Sequence, residues 1–165
     1  MNKQSQKGFT LIEILVVIGM IAILATVVLI AINPARQFAQ GRNSQRTSNV
    51  NAILNAIGQY VADNKGDLPP SVAALAVNTP TQIGDGIGQV DLCTDLISTY
   101  IPLLPTDPDS THEGEGLTQA DCTAGYDTDY DVSRDSDSRI TIKAPNTELC
   151  SATPCAVGDQ IKVIR

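Results

Sequence analysis

The strongest constraint on this chain is an apolar run from Phe9 to Ile32, 24 residues in which Glu13 is the only ionisable side chain. As a helix rising about 1.5 Å per residue it reaches about 36 Å, more than the roughly 30 Å hydrocarbon thickness of a bilayer. Such a run is read as a membrane-spanning helix. A carboxylate inside it costs on the order of 2.5 to 3.5 kcal/mol on insertion scales, so Glu13 is expected either to meet a partner in the membrane or to reach the interface from the helix end. A secretory signal peptide fits worse, because its apolar core is about 7 to 15 residues and ends at a small-residue cleavage site. Here the run leads into Asn33-Pro34-Ala35-Arg36. Lys3 and Lys7 precede it and Arg36, Arg42 and Arg46 follow it, so the flanking positive charges do not set its orientation.

The sequence Lys7-Gly8-Phe9-Thr10-Leu11-Ile12-Glu13, with a short basic leader before it and ILVVIGMIAILA after it, resembles the prepilin cleavage and methylation signal shared by type IV pilins and the pseudopilins of type II secretion. The resemblance implies that a membrane aspartic prepilin peptidase cuts between Gly8 and Phe9 and methylates the new amine of Phe9. It makes Glu13 the family's acidic fifth residue of the mature chain, whose carboxylate pairs with the N-terminal ammonium of a neighbouring subunit. Buried charges persist when paired. The implied partners are identical or related pilin subunits in a helical filament, the membrane, an inner-membrane assembly platform and its cytoplasmic ATPase. The implied location is a single pass through the inner membrane before assembly, then an extracellular pilus or a periplasmic pseudopilus.

Charge divides the chain: residues 1–65 carry six basic and two acidic side chains, the remaining residues five basic and 16 acidic. An acidic head argues against direct nucleic-acid binding, which needs clustered Lys or Arg. Beyond the span, Val50, Ile53, Leu54, Ile57, Tyr60 and Val61 recur at helical spacing, with Arg42, Asn43, Gln45, Arg46, Asn49, Asn51 and Gln59 on other faces. Asn33-Pro34 is expected to kink one long helix, and Asp63-Asn64-Lys65-Gly66 before Pro69-Pro70 to end it. The chain therefore divides into a leader (1–8), a transmembrane and assembly helix (9–32), an amphipathic helical half (33–65) and a globular head (66–165). The fold class is α+β, a long N-terminal helix packed on a small antiparallel sheet.

Within the head, short helices are expected over Pro70–Val77 and Val90–Tyr100. Thr79–Gly88 reads as a Gly-rich loop, since Gly84, Gly86 and Gly88 lack the context of a nucleotide-binding turn. IPLLPTDPDS resembles the LP-x-DP turn of pilin and pseudopilin heads, without the Trp and Asn-Pro-Tyr that usually follow. From Tyr126 onward, alternation predicts a strand with Tyr126, Thr128, Tyr130 and Val132 on one face, a turn over Ser133–Ser138, a strand carrying Ile140 and Ile142, and a third strand over Gln160–Ile164.

Four cysteines, Cys93, Cys122, Cys150 and Cys155, all follow the span. They suggest two disulfides in an extracytoplasmic head, with three connectivities open. Cys150 with Cys155 and Cys93 with Cys122 is preferred, because Ser151-Ala152-Thr153-Pro154 makes a short loop already bent by proline. Unbonded buried thiols are the bland alternative, and zinc fits poorly with one C-x4-C pair and His112 as the only histidine. Asp127, Asp129 and Asp131 begin like a calcium loop, but Val132 stands where an EF-hand needs Gly and Ser138 where it needs Glu. Irregular calcium binding with Asp107 and Asp109 competes with a solvated acidic strand face neutralised by Arg139 and Lys143, and the latter is favoured; no cofactor is expected. With one histidine and no nucleophile motif the chain does not read as an enzyme. It reads as a structural subunit, a pilin, with a pseudopilin or a minor pilin with a binding or adhesive head as alternatives.

Overall fold

The computed structural model describes residues 8–31, 33–109, 114–123, 125–150, 155–156 and 160–165. Lys3 and Lys7 of the leader, Ile32, His112 and the 151–154 loop lie outside them. The chain forms two compact units, Met1–Phe38 and Ala39–Arg165. The second takes in Val50, Ile53, Leu54, Ala56 and Ile57, which lie in its core.

In the first unit, α1 spans Leu11–Ala31. Val and Ile make up much of it and are mediocre helix formers in water. In hydrocarbon a helix is nonetheless the one single-segment solution that satisfies every backbone N–H and C=O. Thr26 fits that rule by donating its hydroxyl back to the Ala22 carbonyl at 2.8 Å. The window Leu11–Val28 is long and apolar enough to cross a membrane, and none of it is buried within the protein.

The expected single kinked helix is two. Asn33 lies outside both helices, and α2 runs Pro34–Asp63. The Asn33 side-chain carbonyl accepts the Arg36 N–H at 3.2 Å, and Pro34 occupies the first helical position, where its missing N–H costs nothing. At the other end Lys65 and Gly66 have φ of 59° and 101°, and the Gly66 N–H returns to the Val61 carbonyl at 2.8 Å. This is the left-handed cap expected before Pro69-Pro70.

In the second unit α2 buries Val50, Ile53, Leu54, Ala56 and Ile57, with Tyr60 and Val61 half-buried, as the helical spacing predicts. They share one core with the inner face of a four-stranded antiparallel sheet of order β1-β2-β3-β4: Thr81–Gly84, Asp127–Arg134, Ile140–Ala144 and Ile161–Ile164. Alternation reads β2 and β3 correctly, since Tyr126, Thr128, Tyr130, Val132, Ile140 and Ile142 are all buried. It misses β1, which lies inside the expected Thr79–Gly88 loop. Four residues with one buried apolar side chain carry too little pattern; β1 is a strand because β2 offers it a ladder. The pairing moves from Gln82↔Asp131 to Gly84↔Asp127, a slip of two residues on β2 near Asp129, whose φ is 59°. An even slip preserves the period-two facing of β2. The two expected short helices shrink to α3, Pro70–Ala73, and α4, Cys93–Leu96.

The largest departure is Arg46, read as a solvent-facing residue of α2 and in fact fully buried. Its Nε and Nη2 donate to the two carboxylate oxygens of Asp107 at 2.7 and 2.9 Å, and Asp107 is also fully buried. A two-pronged ion pair away from water is stable as a pair and costly as a half. Arg46→Ala is expected to destabilise the unit by about 3 to 5 kcal/mol, since it strands a buried carboxylate. The double change Arg46→Met with Asp107→Leu should recover most of that loss. Urea unfolding of the purified protein checks both, and a double variant no better than Arg46→Ala would refute the account.

Candidate functional site

The N-terminal segment is built by its own hydrogen bonds. The Thr10 backbone N–H and hydroxyl both donate to one Glu13 carboxylate oxygen, at 2.7 and 2.8 Å, and the Glu13 N–H donates to the Thr10 hydroxyl at 3.3 Å. This is a reciprocal capping box, Thr-x-x-Glu, that closes the first turn of α1. Gly8 and Phe9 precede it as exposed, non-helical chain, with Phe9 85% exposed. The bond between Gly8 and Phe9 is thus exposed and outside the helix. Glu13 lies within one turn of that bond, its carboxylate aimed toward the N-terminal end of the helix. The sequence reading missed the role of Thr10, although the Thr-x-x-Glu spacing before an apolar run signals it.

The cysteines are joined Cys93 to Cys122 and Cys150 to Cys155, with Cα atoms 5.5 Å apart in each pair. Cys93 and Cys122 are buried, beside Asp91 and Tyr126. The Tyr126 hydroxyl donates to the Asp91 carboxylate at 2.7 Å and accepts the Cys93 N–H at 3.1 Å. Burial pushes the Tyr126 phenol up and the Asp91 charge adds to that shift.

The acidic face of β2 is spoken for by neighbours. Asp127 accepts the side-chain amides of Gln82 and Gln89, at 2.9 and 3.1 Å, and the Asp129 N–H at 2.8 Å. Asp131 stands opposite Lys143 in the ladder; burial raises its carboxyl and Lys143 opposes the shift. Among the described residues no group of three or more His, Cys, Asp or Glu is arranged to hold a metal ion, and both Asp107 oxygens are taken by Arg46. Arg139 does not neutralise this face, in contrast to the sequence reading. It pairs with Asp135 and Asp137 at 2.8 and 3.3 Å, within its own turn.

A clasp that sequence did not reveal joins the β3–β4 connection to α2. Arg42 donates from Nε and Nη2 to the Glu148 carboxylate at 2.9 and 2.6 Å, and Arg46 Nη1 lies 3.5 Å from the same group. Asn43 bonds the Glu148 backbone in both directions, donating to its carbonyl at 2.6 Å and accepting its N–H at 3.0 Å. The contacts are more than 100 residues apart in the chain, so no local pattern announces them. The Arg42 hydrogen bonds hold the Glu148 carboxyl below its ordinary value of 4.5.

A family model for the prokaryotic N-terminal methylation motif matches residues 3–29. Comparison with curated proteins and with solved structures finds no match. A depressed carboxyl contributes stability that is full above its ordinary value and is lost as pH falls through its folded value. Resistance to urea should therefore decline below about pH 4.5, and Glu148→Gln should flatten that decline by up to about 1 kcal/mol for a partly exposed pair. Superimposable pH profiles would refute the clasp. The matched motif and the helix-plus-sheet architecture together show a chain that carries the type IV prepilin-like signal on a pilin-like α+β fold.

Proposed function

We propose that this chain is the precursor of a type IV pilin, a structural subunit that is processed at Gly8-Phe9 and polymerises through α1. The observation that carries the reading is the methylation motif over residues 3–29, set on a scissile Gly8-Phe9 bond that is exposed and non-helical and leads directly into an unburied apolar helix. An apolar face of this kind is stable only in lipid or against other copies of itself. A subunit that passes from the first environment to the second satisfies both. The assembly is head to tail and open, the arrangement that yields fibres. Prepilin peptidase, an inner-membrane platform and its ATPase are the partners this reading calls for. The paired cysteines near the C-terminus support a pilin over a pseudopilin. The roles of Gly8, Phe9 and Glu13 belong to this proposal.

Processing is tested at the bond itself. The exported protein should begin at N-methylated Phe9, and Gly8→Val should leave uncut precursor in the membrane. Mass spectrometry of the mature N-terminus decides it, and a start beyond Ile32 would refute the reading.

Glu13 has two separable duties, closing the capping box in its own chain and, in this proposal, pairing with the Phe9 ammonium of a neighbour. Glutamine fills the same capping position without the charge. Glu13→Gln should therefore keep α1 inserted while filaments in sheared surface fractions fall away, as they do in Glu13→Ala. Electron microscopy normalised to membrane-inserted protein checks this. Normal filaments from Glu13→Gln with none from Glu13→Ala would assign Glu13 to the cap alone and sink the pairing role.

A further inference from the structure

We infer that the first turn of α2 is a lipid-headgroup collar, with Arg36 bound to lipid phosphates and Phe38 seated at the boundary between headgroups and acyl chains. The inference rests on the proposal that α1 spans a bilayer in the precursor. Residues 33–38 belong neither to the apolar span nor to the core of the second unit. All six are exposed, and burial begins abruptly at Ala39, which is 7% exposed. The second unit also begins at Ala39.

The three arginines that follow the span are not equivalent. Arg42 and Arg46 are consumed by Glu148 and Asp107. Arg36 meets no carboxylate among the described residues. It follows the last residue of α1 by five positions, within reach of a headgroup for a long side chain that carries its charge out of the hydrocarbon. Phe38 is 69% exposed, a large apolar ring left mostly uncovered by the described residues. The chain has two phenylalanines. They bracket α1, Phe9 before it and Phe38 after it, and an apolar side chain on a helix lying at a membrane surface buries at the headgroup/acyl boundary. Arg36 and Phe38 are also about 3 Å apart along the α2 axis, since each residue rises about 1.5 Å. Phe38 is the farther from α1 of the two, but a helical side chain leans back toward the helix N-terminus, which carries its ring toward the acyl boundary, while the long Arg36 side chain extends outward to the phosphate.

The chain contains no tryptophan, so Phe38→Trp in the full-length precursor is a single fluorescent reporter. The precursor is placed in vesicles of phosphatidylethanolamine and phosphatidylglycerol carrying lipids brominated near the headgroup or near the bilayer centre. Blue-shifted emission, quenched more by the shallow bromines than by the deep ones, is expected. Adding Arg36→Glu should roughly halve the shallow quenching, because it replaces an attraction to anionic headgroups with a repulsion. Equal quenching with and without Arg36→Glu would overturn the role of Arg36. Ile21→Trp, at the middle of α1, separates this inference from the reading beneath it. Deep quenching of Ile21→Trp with water-like emission from Phe38→Trp would overturn the collar alone, while water-like emission from both would overturn the membrane span as well.

Discussion

The second unit depends on a single ion pair held out of water. Arg46 arises from α2 and Asp107 from a loop 61 residues later, and both are fully buried, so neither charge can persist without the other. Satisfying them fixes the loop against the helix. Asp107 also accepts the Asp109 N–H at 2.9 Å and donates its own N–H to the Thr128 carbonyl at 3.0 Å, which carries the constraint into β2. Asn49, one turn along α2, donates to the Thr106 carbonyl and to the Tyr130 hydroxyl, both at 3.0 Å. Helix, loop and sheet are thus bonded together by polar groups within one core. Burial pushes the Tyr130 phenol up to about 12, so this network stays protonated at Tyr130 across the physiological range.

The two units answer opposite solvents. α1 leaves Leu and Ile side chains more than half exposed along its length, which in water would be a liability and in hydrocarbon is the stable arrangement. The second unit encloses a core of aliphatic, tyrosine and disulfide side chains. Its disulfides reinforce it unequally. In the chain-entropy account the bridge over a separation of 29 residues removes about 3 to 4 kcal/mol of unfolded-state freedom, and the one over a separation of five about 2. The long bridge ties α4 to the segment before β2, while the short one sits beside Thr147 and the Glu148 clasp. Both serve a compact unit of modest core.

What sequence revealed here are the features whose cause is local. The span follows from composition, the stripe on α2 from helical period, β2 and β3 from alternation, and the end of α2 from Lys65-Gly66 before two prolines. The α2 start and the Thr10-Glu13 box are equally local, signalled by Asn33-Pro34 and by Thr-x-x-Glu. Neighbours in the chain determine these features because the helical and capping hydrogen bonds join residues three to five apart and the facing of a strand repeats every two residues.

Tertiary structure decided the rest, and the reason is separation along the chain. β1 is a strand because β2 supplies its hydrogen bonds, although its own four residues lack a pattern. Arg46 is buried because Asp107 waits for it 61 residues away, whereas by helical period it falls on a polar face. Arg42 and Asn43 hold Glu148 across more than 100 residues. In each case the sequence by itself determined that a polar group needed a partner. Which partner it met depended on the fold, because only folding brings distant charges to hydrogen-bonding distance and removes the water that would otherwise satisfy them.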